Sequence, residues 1–99
     1  MSRLTAYTSV RIVESWPEDI GNGELVVRQH EGRIRGLHFL CPDNCGDAHM
    51  LPAHHTERDM PGWQIAINPD STVTVSPSIL RRGGCQSHFF IERNAVRWC

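Results

Sequence analysis

Short segments in which apolar and polar residues alternate, separated by turns rich in glycine, proline and asparagine, make up most of this 99-residue chain. Such alternation places successive side chains on opposite faces of an extended strand. No segment carries the 3.6-residue periodicity of a helix of normal length. The pattern predicts strands over residues 7–13, 24–29, 33–40, 63–67, 72–76, 87–92 and 96–99.

Turn signals between these segments predict hairpins. Glu31-Gly32 connects the second and third strands, Asn68–Ser71 connects the next pair, and Asn94-Ala95 connects the last pair. Residues 47–62 and 81–84 are polar and are interpreted as loops. We therefore expect one mainly β domain over residues 1–99, built from antiparallel sheets and hairpins. Residues 1–23 supply an N-terminal strand and a connector.

Composition limits the classes of function that the chain can have. A chain of 99 residues, of which 39% are hydrophobic, has a thin core that a metal ion would help to stabilise. The formal net charge is −1, although all ten basic residues are arginine, and this balance argues against a general nucleic-acid binder.

The chain shows no signal-peptide pattern and no apolar run of the length of a membrane span. We therefore expect a cytoplasmic protein that does not insert into a membrane. In a reducing cytoplasm, four cysteines are typical of metal ligands or free thiols rather than of disulfides.

The most specific motif is the turn Cys41-Pro42-Asp43-Asn44-Cys45-Gly46, called the knuckle below. Two thiolates at this spacing on a tight turn can face one tetrahedral zinc ion. Pro42 stiffens the turn, and Gly46 can take a positive φ directly after the second ligand. The sequence therefore predicts a zinc-ribbon-like site that begins at Cys41 and Cys45.

A second ligand pair is needed, and Cys85 and Cys99 flank the last predicted hairpin. The expected site is structural Zn²⁺ held by Cys41, Cys45, Cys85 and Cys99. A turn at Asn94-Ala95 would set Cys99 opposite Phe90 and on the same face as His88. His88 in place of Cys85 therefore stays open as an alternative ligand, as do disulfides, an iron centre and no metal.

Several motifs taken together are shared with a known family. They are the knuckle, the central Trp63 strand, Val75–Ile79, the segment Cys85-x-Ser87-His88-Phe89-x-Ile91 and the terminal Val96-x-Trp98-Cys99. This combination resembles a small bacterial and phage family of unknown function, to which metal binding is attributed, over residues 24–99. The resemblance implies a genomic context in phages or beside bacterial ubiquitin-like conjugation genes. Relatives carry a further Cys and Gly where this chain has Asp43-Asn44, which leaves the ligand set open.

Three functions are compatible with these features. The first is a structural zinc module that binds a protein partner through the loop of residues 49–63 together with Arg81 and Arg82, because four cysteine ligands leave no open metal position. The second is a zinc-dependent hydrolase or peptidase with an open metal site and His88 or Glu57 as base. The sequence His54-His55-Thr56-Glu57 is not the H-E-x-x-H motif of metalloproteases.

The third function is a nucleic-acid-binding zinc ribbon, in which arginines line one face and aromatic side chains stack on bases. The net charge makes this the least favoured of the three. Ser76 and Ser78 are possible nucleophiles, but they lack a G-x-S-x-G setting and fit a turn around Pro77 better. The sequence thus favours an interaction module over an enzyme.

Overall fold

The computed structural model describes residues 3–54, 62–80 and 86–99, which form strands and no helix. The mainly β prediction is confirmed. Within these ranges there is accordingly no helix of the length and hydropathy needed to cross a membrane. The strands are β1 (Ser9–Val13), β2 (Glu24–His30), β3 (Arg33–Leu40), β4 (Ala48–Pro52), β5 (Gln64–Ile67), β6 (Val73–Leu80), β7 (His88–Glu92) and β8 (Ala95–Trp98).

The strands form two four-stranded sheets, each in sequence order: β1-β2-β3-β4 and β5-β6-β7-β8. All neighbouring strands are antiparallel except β1 and β2, which are parallel. The antiparallel hairpin prediction is therefore confirmed for most of the chain. The parallel pair arises because residues 14–23 return along the length of β1 before β2 begins.

The core lies between the two sheets, because each contributes the inward-facing residues of its alternating strands. The rings of Phe39 from β3 and Phe89 from β7 meet edge to face, with centroids 6.3 Å apart. The fully or nearly buried members of this core are Tyr7, Leu25, Val27, Leu37, Phe39, Leu51, Val73, Val75, Ile79, Phe89 and Ile91.

Residues just before β1 connect the two sheets. The backbone of Ala6 bridges that of Ala95 in β8, and the Leu4 N–H donates to the Pro42 carbonyl over 2.7 Å. The buried Tyr7 hydroxyl donates to the Leu40 carbonyl over 2.7 Å. Burial, with the nearby Cys41 and Asp43, raises the pKa of Tyr7 and keeps this hydroxyl protonated as a donor.

The interpretation of residues 47–62 as a loop is wrong at its start, because Ala48–Pro52 pairs with β3 as β4. His49 and Leu51 face the core, and the imidazole of His49 stacks on Phe39 with a centroid distance of 5.1 Å. A histidine at an inward position breaks the apolar alternation by which a strand is recognised.

The last hairpin turns one residue earlier than predicted. Arg93 and Asn94 occupy the turn with φ values of 47° and 67°, and Glu92 pairs with Ala95. Positive φ at both central positions is typical of the tight type I′ hairpin turn. This register sets Phe90 opposite Arg97, so the predicted pairing of Cys99 with Phe90 is wrong.

Phe39 is expected to be a major source of stability, since its ring contacts Tyr7, His49 and Phe89 and is fully buried. Phe39→Ala should lower the free energy of unfolding by about 3–5 kcal/mol, as measured by urea denaturation. Met50→Ala on the adjacent strand is the control, because the Met50 side chain is 55% exposed. A loss below about 1 kcal/mol for Phe39→Ala would contradict this packing.

Candidate functional site

An irregularity in β6 lies next to the candidate site. Between Val75 and Ile79 strand β6 advances four positions, while its partner β7 advances two, from Ile91 to Phe89. The extra residues contain the cis peptide bond Ser76-Pro77. Bulges of this kind bend a strand and redirect its side chains, and they are common next to active sites.

Ser78 follows this bulge and meets a histidine on the neighbouring strand. Leu80 pairs with His88, so Ser78, two residues earlier, lies diagonally across from His88 on the same face. The distance from His88 Nε2 to Ser78 Oγ is 2.9 Å. Both side chains are partly exposed. A serine hydroxyl within hydrogen-bond reach of an imidazole has the geometry of a nucleophile with its general base.

Backbone contacts fix the position of His88. Its carbonyl accepts a hydrogen bond from the Cys99 N–H over 3.0 Å, which extends the β7–β8 ladder by one residue. In the described part of the chain, the hydrogen bond to Ser78 is the only one made by the His88 ring. The arrangement is therefore a candidate Ser–His dyad.

The knuckle between β3 and β4 is a closed turn. The Cys41 N–H donates to the Asp47 carbonyl over 2.8 Å, and the Asn44 N–H donates to the Cys41 carbonyl over 3.1 Å. Asn44 and Gly46 have φ values of 64° and 87°. The predicted positive φ of Gly46 is confirmed, and it lets the chain reverse directly after Cys45.

The knuckle brings possible metal ligands together. One ligand atom each from Cys41, Asp43 and Cys45 lies within 4.8 Å of the others. Two thiolates and a carboxylate are donors that suit zinc. However, Asp43 Oδ1 accepts a hydrogen bond from the Cys45 N–H over 2.9 Å, and Asp43 Oδ2 accepts one from Ser87 over 2.8 Å. Asp43 therefore holds the turn in shape, and the thiolates are the stronger ligand candidates.

The remaining predicted ligands are placed differently. Cys99 and His88 lie outside the Cys41–Asp43–Cys45 group, and Cys99 is exposed beside His88 at the end of the ladder. Cys85 falls outside the described residues. The ligand set Cys41, Cys45, Cys85 and Cys99, and its alternative with His88, stay predictions.

Ser87 connects the knuckle to the dyad. Its side chain is only 6% exposed, and its hydroxyl lies 3.5 Å from Cys41 Sγ as well as 2.8 Å from Asp43. Because Ser87 directly precedes His88, the knuckle and the dyad share one short stretch of backbone. A change in the conformation of the knuckle can therefore be transmitted to His88 through Ser87.

Removal of this connection should be measurable. Ser87→Ala removes a part-buried charge-assisted hydrogen bond, and we expect it to lower the free energy of unfolding by about 1–3 kcal/mol in thermal or urea unfolding. Ser76→Ala, at an exposed serine on β6, is the matched control and should change stability by less than about 0.5 kcal/mol. Equal stability of the two variants would contradict the structural role of Ser87.

Other candidates from the sequence lie elsewhere. His49 is a core residue, and His54 is exposed with its backbone N–H bonded to the Trp63 carbonyl. Four further candidates lie outside the described residues: His55, Glu57, Arg81 and Arg82.

Ser78 is a candidate functional residue that the sequence placed in a turn. Ser78 shares a strand face with Leu80, and Leu80 pairs with His88. This relation identifies Ser78 only once the register between β6 and β7 is known. The bulge shifts that register by two residues, and no sequence rule locates such a shift.

Fold and site together define a small β-sandwich domain with a surface Ser–His pair next to a cysteine knuckle. Residues 12–99 match the BubE family, described as the bacterial ubiquitination-like system serine protease, and the chain belongs to this family. The family description confirms the predicted link to bacterial ubiquitin-like conjugation. The match begins at residue 12, whereas the resemblance seen in the sequence covered residues 24–99. No curated protein and no solved structure shows a significant match.

Proposed function

We propose that this chain is a serine protease acting in a bacterial ubiquitination-like system, with Ser78 as nucleophile and His88 as general base. The observation that carries the proposal is the 2.9 Å distance between His88 Nε2 and Ser78 Oγ. The description of the family, bacterial ubiquitination-like system serine protease, supports it independently.

The reaction needs only these two side chains to move the protons. As Ser78 Oγ bonds to the substrate carbonyl carbon, His88 Nε2 accepts the hydroxyl proton. The C–N bond then breaks, and His88 returns the proton to the leaving amine. Water repeats the sequence on the acyl-enzyme: as the water oxygen bonds to the acyl carbon, His88 takes a proton from the water, and when the Oγ–C bond breaks, His88 returns that proton to Ser78 Oγ.

The surroundings of the dyad suit a protein substrate. Ser78 and His88 lie on the outer face of the second sheet, where Leu80 is 49% exposed beside His88. Phe90 lies two residues further along β7, with the Arg97 guanidinium 4.4 Å from the centre of its ring. This open face of apolar and cationic groups admits an extended chain, and we propose a ubiquitin-like protein or its conjugate as the substrate.

The knuckle has a separate role in this proposal. Zinc bound by the thiolates of Cys41 and Cys45 would stabilise the turn and, through Asp43 and Ser87, the start of β7. The hydrogen bond of the His88 ring to Ser78 favours a serine nucleophile over a metal-bound water. We therefore propose a structural rather than a catalytic metal, in agreement with the zinc module expected from the sequence.

Cleavage of a defined fusion tests the proposal. The substrate is the ubiquitin-like protein of the same system, extended at its C-terminus by a reporter peptide and analysed by mass spectrometry. We expect one cut, which a serine-directed fluorophosphonate prevents. His88→Gln should abolish cleavage while the far-ultraviolet circular dichroism stays that of the wild type. Cleavage at full rate by His88→Gln would contradict the assignment of the base.

A further inference from the structure

A pocket of about 360 Å³ borders the candidate nucleophile, and His88 is not among its lining residues. Its walls are Pro52, Gly62, Trp63, Pro77 and Ser78 itself. No step of the proposed Ser78–His88 reaction involves this pocket. The volume is at the lower end of the roughly 300–1,000 Å³ range of ligand pockets, which suits a side chain rather than a folded partner.

The walls of this pocket are held in place by backbone contacts. The Trp63 N–H donates to the Pro52 carbonyl over 3.0 Å, and Trp63 pairs with Ala53 across a parallel bridge. A Cβ at Gly62 would come within 2.6 Å of the Pro52 carbonyl oxygen, so only glycine allows this close approach. The pocket is therefore a preformed feature of the fold.

Trp63 also contacts the residue that carries the nucleophile. Its indole Nε1–H donates to the Ser78 carbonyl over 3.3 Å, so one edge of the ring is fixed beside Ser78. The indole and the two prolines give the pocket its apolar character, and among the residues that the structure describes no charged side chain lines it. Such a lining favours an apolar side chain and disfavours a charged one, whose burial there has no partner.

The strand order decides which part of a substrate reaches this pocket. β6, which carries Ser78, lies between β5 and β7. His88 is on the β7 side, whereas Trp63 directly precedes β5 on the opposite side. His88 has to protonate the leaving amine, so the leaving group lies toward β7. The residue whose carbonyl is attacked therefore extends toward Trp63.

We propose that this pocket binds an apolar side chain on the residue that supplies the carbonyl of the scissile bond. The inference rests on the proposed function, because it assigns a specificity pocket to the Ser78–His88 dyad. It names the substrate class as chains with a large apolar residue, such as leucine or phenylalanine, directly before the cut.

Small esters test this preference without a protein substrate. We expect N-acetyl-leucine and N-acetyl-phenylalanine p-nitrophenyl esters to show kcat/KM values about 10-fold or more above the glycine ester, since filling an apolar pocket contributes that much. The aspartate ester should be slower still. In Trp63→Ala the ratio of leucine to glycine should fall to within about 3-fold.

This ratio is the informative quantity, because the loss of the Trp63 hydrogen bond also displaces Ser78 and slows all esters together. Trp63→Phe, which keeps an aromatic wall, should retain the preference. Trp16→Ala is the matched control, because Trp16 packs beside Gly36 and His38 on the other sheet. A leucine-to-glycine ratio near one in the wild type, with hydrolysis that depends on Ser78, would overturn the pocket assignment and leave the proposed function standing.

A binding measurement tests the pocket assignment independently of the dyad assignment. In Ser78→Ala, N-acetyl-leucinamide should shift the Trp63 indole N–H resonance in ¹⁵N-labelled protein, and N-acetyl-glycinamide and N-acetyl-aspartamide should not. If no ester is hydrolysed but leucinamide gives this shift, the dyad assignment fails and the ligand class of the pocket stands. If leucinamide causes no shift, the pocket assignment fails.

Discussion

Replacement of Ser78 by alanine should reduce proteolysis by roughly 10³- to 10⁶-fold, the range seen when a serine protease loses its nucleophile. The Oγ atom of Ser78 is the only part of the residue removed, and it lies 2.9 Å from its candidate base. The variant should still fold, because the side chain is partly exposed and outside the core. Steady-state hydrolysis of the reporter fusion gives the rate, and circular dichroism verifies the fold.

The chain offers a matched control two residues earlier. Ser76 is on the same strand and is exposed, and it pairs with Gln64 of β5 instead of facing His88. Ser76→Ala should keep hydrolysis within about 2-fold of the wild type. In the proposed mechanism Ser78 and His88 act as a unit, so Ser78→Ala with His88→Ala should be no slower than Ser78→Ala alone. Wild-type rates in Ser78→Ala, or loss of activity in Ser76→Ala, would exclude the dyad.

Cys45→Ser should cause the largest loss of stability if the knuckle holds zinc. Structural zinc contributes about 10–16 kcal/mol of apparent binding free energy in small domains, against a total folding stability of about 5–15 kcal/mol. The Cys45 side chain is exposed, so the substitution by itself costs little packing. We expect wild type loaded with zinc to unfold at a much higher temperature than Cys45→Ser under the same conditions.

Chelation provides the internal control for this result. After treatment with a chelator, the wild type and Cys45→Ser should unfold at nearly the same temperature, because the difference between them is the metal. A difference that persists without metal would assign Cys45 a packing role. Cys99→Ser, analysed for zinc content in parallel, tests the four-cysteine ligand set: a full zinc equivalent in this variant would remove Cys99 from the set.

Much of the fold follows from the sequence, because half-buried strands leave a clear alternating pattern. Residues 24–29 and 33–40 were predicted within one residue of the observed β2 and β3. Strand β4 was not predicted. Its inward residue His49 counts as polar in a sequence pattern, although its aromatic ring packs on Phe39 in the core. Strand β6 extends through Pro77 to Leu80, because the bulge accommodates a proline that normally ends a strand.

The two halves of the site differ in how well the sequence defines them. The knuckle is local: its candidate ligands are within five residues of one another, so the spacing of Cys41 and Cys45 was enough to single out this turn. The dyad is not local, since Ser78 and His88 meet only through the register of β6 and β7. Asp43, Ser87 and Trp63 likewise acquire their roles through contacts between distant segments.

The most direct test of the dyad is to map the residue that reacts with a fluorophosphonate. The intact protein is labelled, digested and sequenced by tandem mass spectrometry. We expect one adduct on Ser78 Oγ, formed much more slowly in His88→Gln and absent in Ser78→Ala, with Ser76 unmodified. An unlabelled protein that still cleaves its substrate, or an adduct on any other residue, would contradict the account.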